Sequence, residues 1–168
     1  MRAPANTPGL MASILGVTLY ASAACAIAAA DATTAGQVIT RAGSQAPLAG
    51  PEASFTGRVR VDPLSAANDS INASGAYVTF APGARSAWHT HPKGQYLVVT
   101  AGLGLTQEWG KPVQALRVGD VVWCPPGVKH WHGAIRTSAM THLALTGADG
   151  GKSVTWMEKV SDAQYAEQ

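Results

Sequence analysis

The chain has 168 residues, of which 12 are Lys or Arg and 10 are Asp or Glu, for a formal net charge of +2. This length suits one domain with a hydrophobic core large enough to be stable without covalent cross-links. The charges are scattered and form no run of one sign, which argues against a nucleic-acid partner. Evidence for function must therefore come from individual motifs.

The N-terminal segment differs from the rest of the chain. Residues 1–30 contain one charged side chain, Arg2, and an alanine-rich apolar run. Small residues at Ala28 and Ala30 precede Asp31, as at a signal peptidase site. Ser, Gly and Thr dilute the apolar run, which favours a secretory signal peptide over a membrane anchor. We expect removal of residues 1–30 and export to the periplasm, with no membrane segment in the mature protein; a disordered or tagged N-terminus is the alternative.

The remainder of the chain has the pattern of an all-β domain. Residues 31–53 are mostly small and polar without an apolar period, which indicates a linker or N-terminal arm. From residue 54 onward, about nine segments rich in β-branched and aromatic residues alternate with Gly, Pro and Asn. They are SFTGRVRV, GAYVTFA, QYLVVTA, LGLTQEW, VQALRV, DVVWC, WHGAI, MTHLALT and SVTWMEKV. The pattern predicts one domain over residues 54–168, folded as a barrel or sandwich.

Two local patterns concern how this domain is held together. Ser161 followed by Gln164 forms a capping box, which predicts a short C-terminal helix in SDAQYAEQ. Once the signal is removed, Cys124 is the only cysteine, so no internal disulfide is expected. Because Cys124 ends the strand-like DVVWC, we interpret it as a buried structural thiol.

The first chemical motif is AWHTHPKGQ. Residues two apart in a strand point to the same side, so His89 and His91 share one face, opposite to Trp88 and Thr90. The turn sequence PKG can bring Gln95 back toward the imidazoles. Taken alone, the pair is better explained as two half-exposed histidines of a sheet.

A second segment, GDVVWCPPGVKHWHGA, changes that balance. It contains a turn, a strand and a second turn, and then places His130 and His132 on one face of the next strand. Four of the five histidines of the chain thus lie in two strand–turn units. Neutral imidazole binds Mn, Fe, Ni, Cu or Zn, and three nitrogens with one amide oxygen would leave positions open for water or substrate. Together the two units predict a metal site.

The spacing of the two units resembles the paired motifs of the cupin superfamily. The first unit reads Gly83, five residues, His89-x-His91, three residues, Gln95, six residues, Gly102. The second reads Gly119, five residues, Pro125-x-Gly127, two residues, His130. Gln95 replaces the usual glutamate ligand and Ala134 the frequent asparagine, and the amide leaves the site more positive by one charge. The resemblance implies a jelly-roll barrel with the metal inside, in a homodimer or higher homo-oligomer.

A longer likeness covers most of residues 54–166. The segments VTFAPGARSAWHTHPKGQ, GDVVWCPPGVKHWHGA, MTHLAL and VTWMEKVSDAQY resemble the small single-domain bacterial cupins that include manganese-dependent hydroxynitrile lyases. This resemblance implies the metal ligands His89, His91, Gln95 and His130, and so accounts for the amide at position 95. It implies Mn as the metal, with Fe, Ni or Zn as alternatives. The implied activity is cleavage or synthesis of cyanohydrins from an aldehyde and cyanide.

The remaining candidate residues surround the predicted ligands. In MTHLALT, His142 and Thr146 flank Ala144 on one face, which indicates the wall of a small polar cavity rather than solid core. The resemblance implies that His142 lies beside the metal, where we expect it, helped by His132, to accept the hydroxyl proton of the substrate. His132 could instead orient His130. We expect Ser86, Ala76, Val78 and Thr146 to form the substrate pocket, and Trp88, Trp123 and Trp131 to belong to the core or a dimer interface.

Two other functions are compatible with the same motifs. A three-histidine site with open positions could bind O₂ together with a substrate, as in an Fe or Mn dioxygenase or an oxidative enzyme that cleaves C–C bonds. A periplasmic cupin that binds a small ligand or a metal without catalysis would also use these residues. The extra histidines, His132 and His142, favour an enzyme, because they add titratable groups beyond the need for ligation.

Overall fold

The structure, a computed structural model, describes residues 36–166, so the predicted signal peptide lies outside the described residues. The β-structure belongs to one unit that begins at Val38. Its elements are β1 (Leu48–Ala49), β2 (Phe55–Thr56), β3 (Val59–Ser65), β4 (Ala73–Phe80), β5 (Arg85–Ser86), β6 (His89–Thr90), β7 (Gln95–Glu108), β8 (Gln114–Arg117), β9 (Val121–Cys124), β10 (His130–Ala134), β11 (Met140–Gly147), β12 (Thr155–Trp156) and α1 (Asp162–Ala166). In the part of the chain described, no helix is long and apolar enough to cross a bilayer.

The strands form one curled sheet in the order β1-β3-β4-β11-β7-β10-β5-β2. β8 and β9 pair with β7, while β6 pairs with both β10 and β12. Phe55 of β2, at one end of this order, and Val59 of β3, near the other end, belong to the same buried cluster. The two ends of the sheet therefore share one core, and the all-β prediction is confirmed.

β7 belongs to both halves of this sheet. Residues 95–102 pair with β11, and residues 103–108 pair with β8 and β10. Gly102 lies at the change of partner with φ of +73°, and a Cβ there would lie 1.8 Å from the carbonyl oxygen of Ala139. Only glycine fits this position. The prediction of two strands, QYLVVTA and LGLTQEW, is therefore wrong, because they are one strand that continues through Gly102.

Other strand boundaries also differ from the sequence pattern. SFTGRVRV is divided into β2 and β3 at Gly57, whose φ of +77° interrupts the extended backbone. Only Thr155–Trp156 of SVTWMEKV is a strand. Leu48–Ala49, inside the segment interpreted as an arm, pairs with β3. The structure thus has twelve strands in its described part, where about nine were predicted.

A second buried cluster lies beneath the C-terminal helix. Trp88 and Trp131 pack there with Tyr165 of α1, together with Leu105 and Val160. The predicted capping box is confirmed, because the Ser161 and Gln164 side chains each accept a hydrogen bond from the other residue's backbone N–H, at 3.1 Å and 2.9 Å.

Cys124 is buried at the end of β9, as predicted. Burial raises the pKa of its thiol to about 12, so the group stays protonated and unreactive at neutral pH.

The outer face of four neighbouring strands is apolar. Tyr77 of β4 lies opposite Leu143 of β11, and Tyr96 of β7 lies opposite both Leu145 of β11 and Trp123 of β9. The rings of Tyr96 and Trp123 are 4.5 Å apart, and both side chains are almost half exposed. We call these five residues the outer apolar face.

Candidate active site

All five histidines are buried and lie together inside the sheet. β6 and β10 are antiparallel neighbours in a register that places His89 opposite His130, with ring centroids 4.3 Å apart. The ring of His91 lies 5.0 Å from that of His89 and 5.4 Å from that of His130. His89 and His91 are 1% and 3% exposed. The interpretation of this pair as half-exposed histidines is therefore wrong.

Backbone carbonyls fix the tautomers of the three predicted histidine ligands. Nδ1 of His89 bonds the Ala87 oxygen at 2.9 Å, Nδ1 of His91 bonds the Ser153 oxygen at 2.6 Å, and Nδ1 of His130 bonds the Val128 oxygen at 3.0 Å. A carbonyl oxygen can only accept, so each Nδ1 carries the proton. In the neutral ring, Nε2 then keeps its lone pair, which is the form that ligates a metal.

Gln95 lies at the start of β7, within the same group. Its Nε2 donates to Oγ1 of Thr146 at 2.8 Å. Its Oε1 is buried without a hydrogen-bond partner, as are Nε2 of His91 and Nε2 of His130. Buried polar atoms without partners are rare in native folds and call for an explanation such as a missing ion.

These orphaned atoms fit a transition metal, since imidazole nitrogen and amide oxygen are both competent donors. The ligand nitrogens of His89, His130 and His132 all lie within 4.8 Å of one another, so this group could hold a metal ion. It shares His89 and His130 with the predicted set and adds His132. Nε2 of His91, Oε1 of Gln95 and Nε2 of His130 are partnerless, as is Nδ1 of His142, whereas Nδ1 of His132 already bonds His142. The first three atoms favour the predicted set.

Burial keeps the site histidines uncharged. It lowers the pKa of His130 and of His142 to about 4, and it holds the pKa of His89 and of His132 well below the ordinary value of 6.5. The neighbouring imidazoles lower the pKa of His89 and His132 further. Burial also lowers the pKa of His91, against the opposing effects of the Ser153 carbonyl and of the Gln95 side chain. At neutral pH the group is therefore a set of neutral bases.

His132 and His142 form a hydrogen-bonded pair beside the predicted ligands. Nε2 of His142 lies 3.1 Å from Nδ1 of His132, and Nδ1 of His142 is buried without a partner. The backbone N–H of His132 donates to Oγ of Ser86 at 3.2 Å. Ser86 is outside the cavity lining and supports β10 through this bond.

A cavity of about 240 Å³ adjoins this group. Ala76, Val78 and Thr146, three of the four predicted pocket residues, line it together with His132 and His142. Ala144, which the period-2 pattern placed on the same face, also lines it. The sequence reasoning missed further lining residues, among which are Phe55, Val61, Ser153 and Trp156. The period-2 pattern could not indicate them, since they come from distant segments; only the likeness in VTWMEKVSDAQY included Trp156.

Trp156 forms an aromatic wall of this cavity. Its ring lies 4.8 Å from that of His89 and 5.4 Å from that of Phe55. A second cavity of about 720 Å³ shares Ser74 and Ser153 with the first. The two cavities are therefore neighbours at these serines.

Comparison with known proteins agrees with this architecture. Residues 76–145 match the family described as Cupin domain. A curated relative from Granulicella tundricola, named (R)-mandelonitrile lyase, is 58% identical over 127 residues, which is 76% of this chain and 97% of the relative. The chain is a cupin. The resemblance to this superfamily, and to its hydroxynitrile lyase-like members, is thus confirmed.

Solved structures place this cupin in the same fold. A cupin-like protein from Thermotoga maritima is 38% identical, with a TM-score of 0.67, over 77% of this chain and 95% of that one. A cupin-2 domain protein from Rhodospirillum rubrum is 22% identical, with a TM-score of 0.59, over 77% of this chain and 84% of that one. At that identity the second match shows the fold alone.

Proposed function

We propose that this cupin is a metal-dependent hydroxynitrile lyase, which cleaves cyanohydrins to an aldehyde and cyanide and catalyses the reverse addition. The observation that carries the proposal is the 58% identity to the relative named (R)-mandelonitrile lyase, which is matched over 97% of its length. The site supports it independently, because it combines partnerless donor atoms with a histidine pair at one cavity.

In this proposal His89, His91, Gln95 and His130 hold the ion. Mn is the expected metal, with Fe, Ni or Zn as alternatives. When bound, a divalent ion supplies Lewis acidity that lowers the pKa of a hydroxyl group at the site. The protein keeps the three ligand histidines neutral through burial and aims their Nε2 atoms through the carbonyl bonds to Nδ1.

The histidine pair handles the proton. Nε2 of His142 and Nδ1 of His132 share a hydrogen bond, and His142, helped by His132, accepts the proton of the cyanohydrin hydroxyl. The O–H bond and the C–CN bond break, the C=O bond forms, and cyanide departs with the bonding electrons. His142 then returns the proton to cyanide, which leaves as HCN.

The cavity wall favours an apolar substituent on the reacting carbon. Phe55, Val78, Ala144 and Trp156 present apolar surface close to the histidines. An aromatic or aliphatic group placed there leaves the hydroxyl and nitrile directed toward the polar side chains. Aromatic cyanohydrins such as mandelonitrile are therefore suitable first substrates.

The proposal is tested with the purified full chain. Metal content is measured by elemental analysis, and benzaldehyde release from racemic mandelonitrile is followed for the wild type, the metal-stripped protein and His89→Ala, with a protein-free control for spontaneous decay. Near-stoichiometric metal and metal-dependent release, both lost in His89→Ala, would support it. Bound metal without release would refute the lyase, and O₂ consumption measured on the same samples would then separate a dioxygenase from a non-catalytic cupin.

We further propose that two copies associate through the outer apolar face. Its aromatic and aliphatic side chains, all exposed except the half-buried Leu143, span four adjacent strands without an intervening charge, which is unusual for a surface that remains solvated. A second copy presents the same uncharged face, as a two-fold interface requires. Sedimentation should show a dimer or larger assembly that Tyr96→Lys dissociates; a monomeric wild type would refute the proposal.

A further inference from the structure

We infer that Thr146 is a positioning residue for metal binding, because its hydroxyl accepts the amide N–H of Gln95 and so allows the amide oxygen to serve as the ligand. The inference rests on the proposed metal site. It concerns the affinity for the ion, which can be measured separately from cyanohydrin cleavage.

The sheet register places the two residues side by side. Thr146 of β11 pairs directly with Gln95 of β7, so their Cβ atoms lie about 5 Å apart on adjacent strands. Both side chains are buried, at 9% and 6% exposure, and Nε2 of Gln95 lies 2.8 Å from Oγ1 of Thr146. The contact is therefore held by the backbone pairing of two central strands rather than by a loop.

An amide ligand has a requirement that a carboxylate does not have. When Oε1 faces a cation, the amide N–H₂ must face the other way, and in a buried site it needs an acceptor. A buried donor without a partner is destabilising, because it has lost its hydrogen bonds to water and gained none in the protein. Thr146 supplies that acceptor, and the orphaned Oε1 of Gln95 shows which end of the amide remains available.

The cost of losing this acceptor should fall mainly on the metal-loaded state. Without metal, the amide can turn its N–H₂ toward the lone pair of His91 Nε2, which has no hydrogen-bond partner. With metal bound, His91 Nε2 is occupied as a ligand, and the amide nitrogen has only Thr146. Removing the hydroxyl therefore lowers metal affinity more than it lowers the stability of the metal-free fold.

The test compares Mn²⁺ affinity among variants of the full chain, using competition with a chelator. Thr146→Val, which keeps the side-chain shape, should bind Mn²⁺ about 10-fold to 100-fold more weakly, whereas Thr146→Ser should stay within about threefold of wild type because it keeps the hydroxyl. Thr141→Val is the matched control, because it removes a threonine hydroxyl from the same strand. That hydroxyl bonds the hydroxyl of Thr79 at 3.0 Å, and its removal should leave the Mn²⁺ affinity unchanged.

A double-mutant cycle separates positioning from general structural damage. In a Gln95→Ala background the same Thr146→Val change should have little effect on affinity, because no amide remains to be held. Equal loss in both backgrounds, or full affinity in Thr146→Val, would overturn the inference. If Thr146→Val does not fold, as judged by circular dichroism of the metal-free protein, Thr146→Ala replaces it with the same expected loss.

The two proposals fail in different ways. A wild type that binds Mn²⁺ but releases no benzaldehyde would refute the lyase activity, while the affinities of the Thr146 variants would still decide this inference. A wild type that binds no metal would overturn the inference together with the metal site. The EPR spectrum of bound Mn²⁺ gives a further readout, and it should change in Thr146→Val and not in Thr141→Val.

Discussion

Replacement of His142 by phenylalanine separates the proposed proton-transfer role from the proposed metal site. Phenylalanine keeps a ring in the buried position near Phe80, whose centroid lies 5.7 Å from that of His142, but it removes both nitrogens. Loss of a general base lowers kcat by about 10²-fold to 10⁴-fold. His132 also loses its 3.1 Å partner, and an unpaired buried nitrogen costs about 1–3 kcal/mol of unfolding free energy.

Three measurements on the same protein test this reasoning. Metal content should equal that of the wild type, because His142 is outside the proposed ligand set. The kcat for benzaldehyde release should fall by about 10²-fold to 10⁴-fold, and urea unfolding should show the loss of about 1–3 kcal/mol. Met140→Leu, a change of similar volume at a fully buried position of the same strand, is the packing control and should retain activity. A His142→Phe variant with kcat within threefold of wild type at equal metal occupancy would refute the base assignment.

Three further predictions concern stability and the cavity. Burial holds the pKa of His142 at about 4, so below pH 6.5 this side chain takes up a proton in the unfolded chain but not in the folded chain. The unfolding free energy of the metal-free protein should therefore fall by about 2 kcal/mol from this group between about pH 7 and pH 5. Urea titrations measure the fall, which should be shallower in His142→Phe. Gly102→Ala places a methyl group 1.8 Å from the Ala139 oxygen at positive φ and should lower unfolding free energy by about 3 kcal/mol or more. An unchanged denaturation curve would contradict the conclusion that only glycine fits this position. Ala144→Leu should fill the apolar side of the cavity and raise KM for mandelonitrile more than for acetaldehyde cyanohydrin, and an equal rise for both would place the substituent elsewhere.

The sequence predicted the parts of this fold that depend on short-range periodicity. The two-residue spacing of His89 and His91 places both side chains among the buried histidines, and the three-residue spacing from Ser161 to Gln164 is found as a cap. Strand ends were less accurate, because a glycine can either break a strand, as at Gly57, or bend one that continues, as at Gly102. Both glycines have positive φ, so their own conformation does not tell a strand break from a strand that continues. Only the pairing of the flanking residues with neighbouring strands distinguishes them.

Long-range contacts at the site were beyond prediction from pattern. Ser153 contributes a backbone oxygen, which any residue type could provide. Ser86 was expected at the pocket but accepts a hydrogen bond from the backbone of β10. The pairing of Thr146 with Gln95 depends on a register between strands that are 51 positions apart.

The bond from His91 to the Ser153 carbonyl affects how this protein could be engineered or could diverge. Ser153 lies in the connection between β11 and β12, a surface loop of the kind that usually tolerates insertions and exchange of sequence. Here that loop lines both cavities and also fixes the orientation of a proposed ligand ring. Under the proposed function, substrate range can therefore be altered through its side chains, whereas changes in its length would also disturb the proposed metal site.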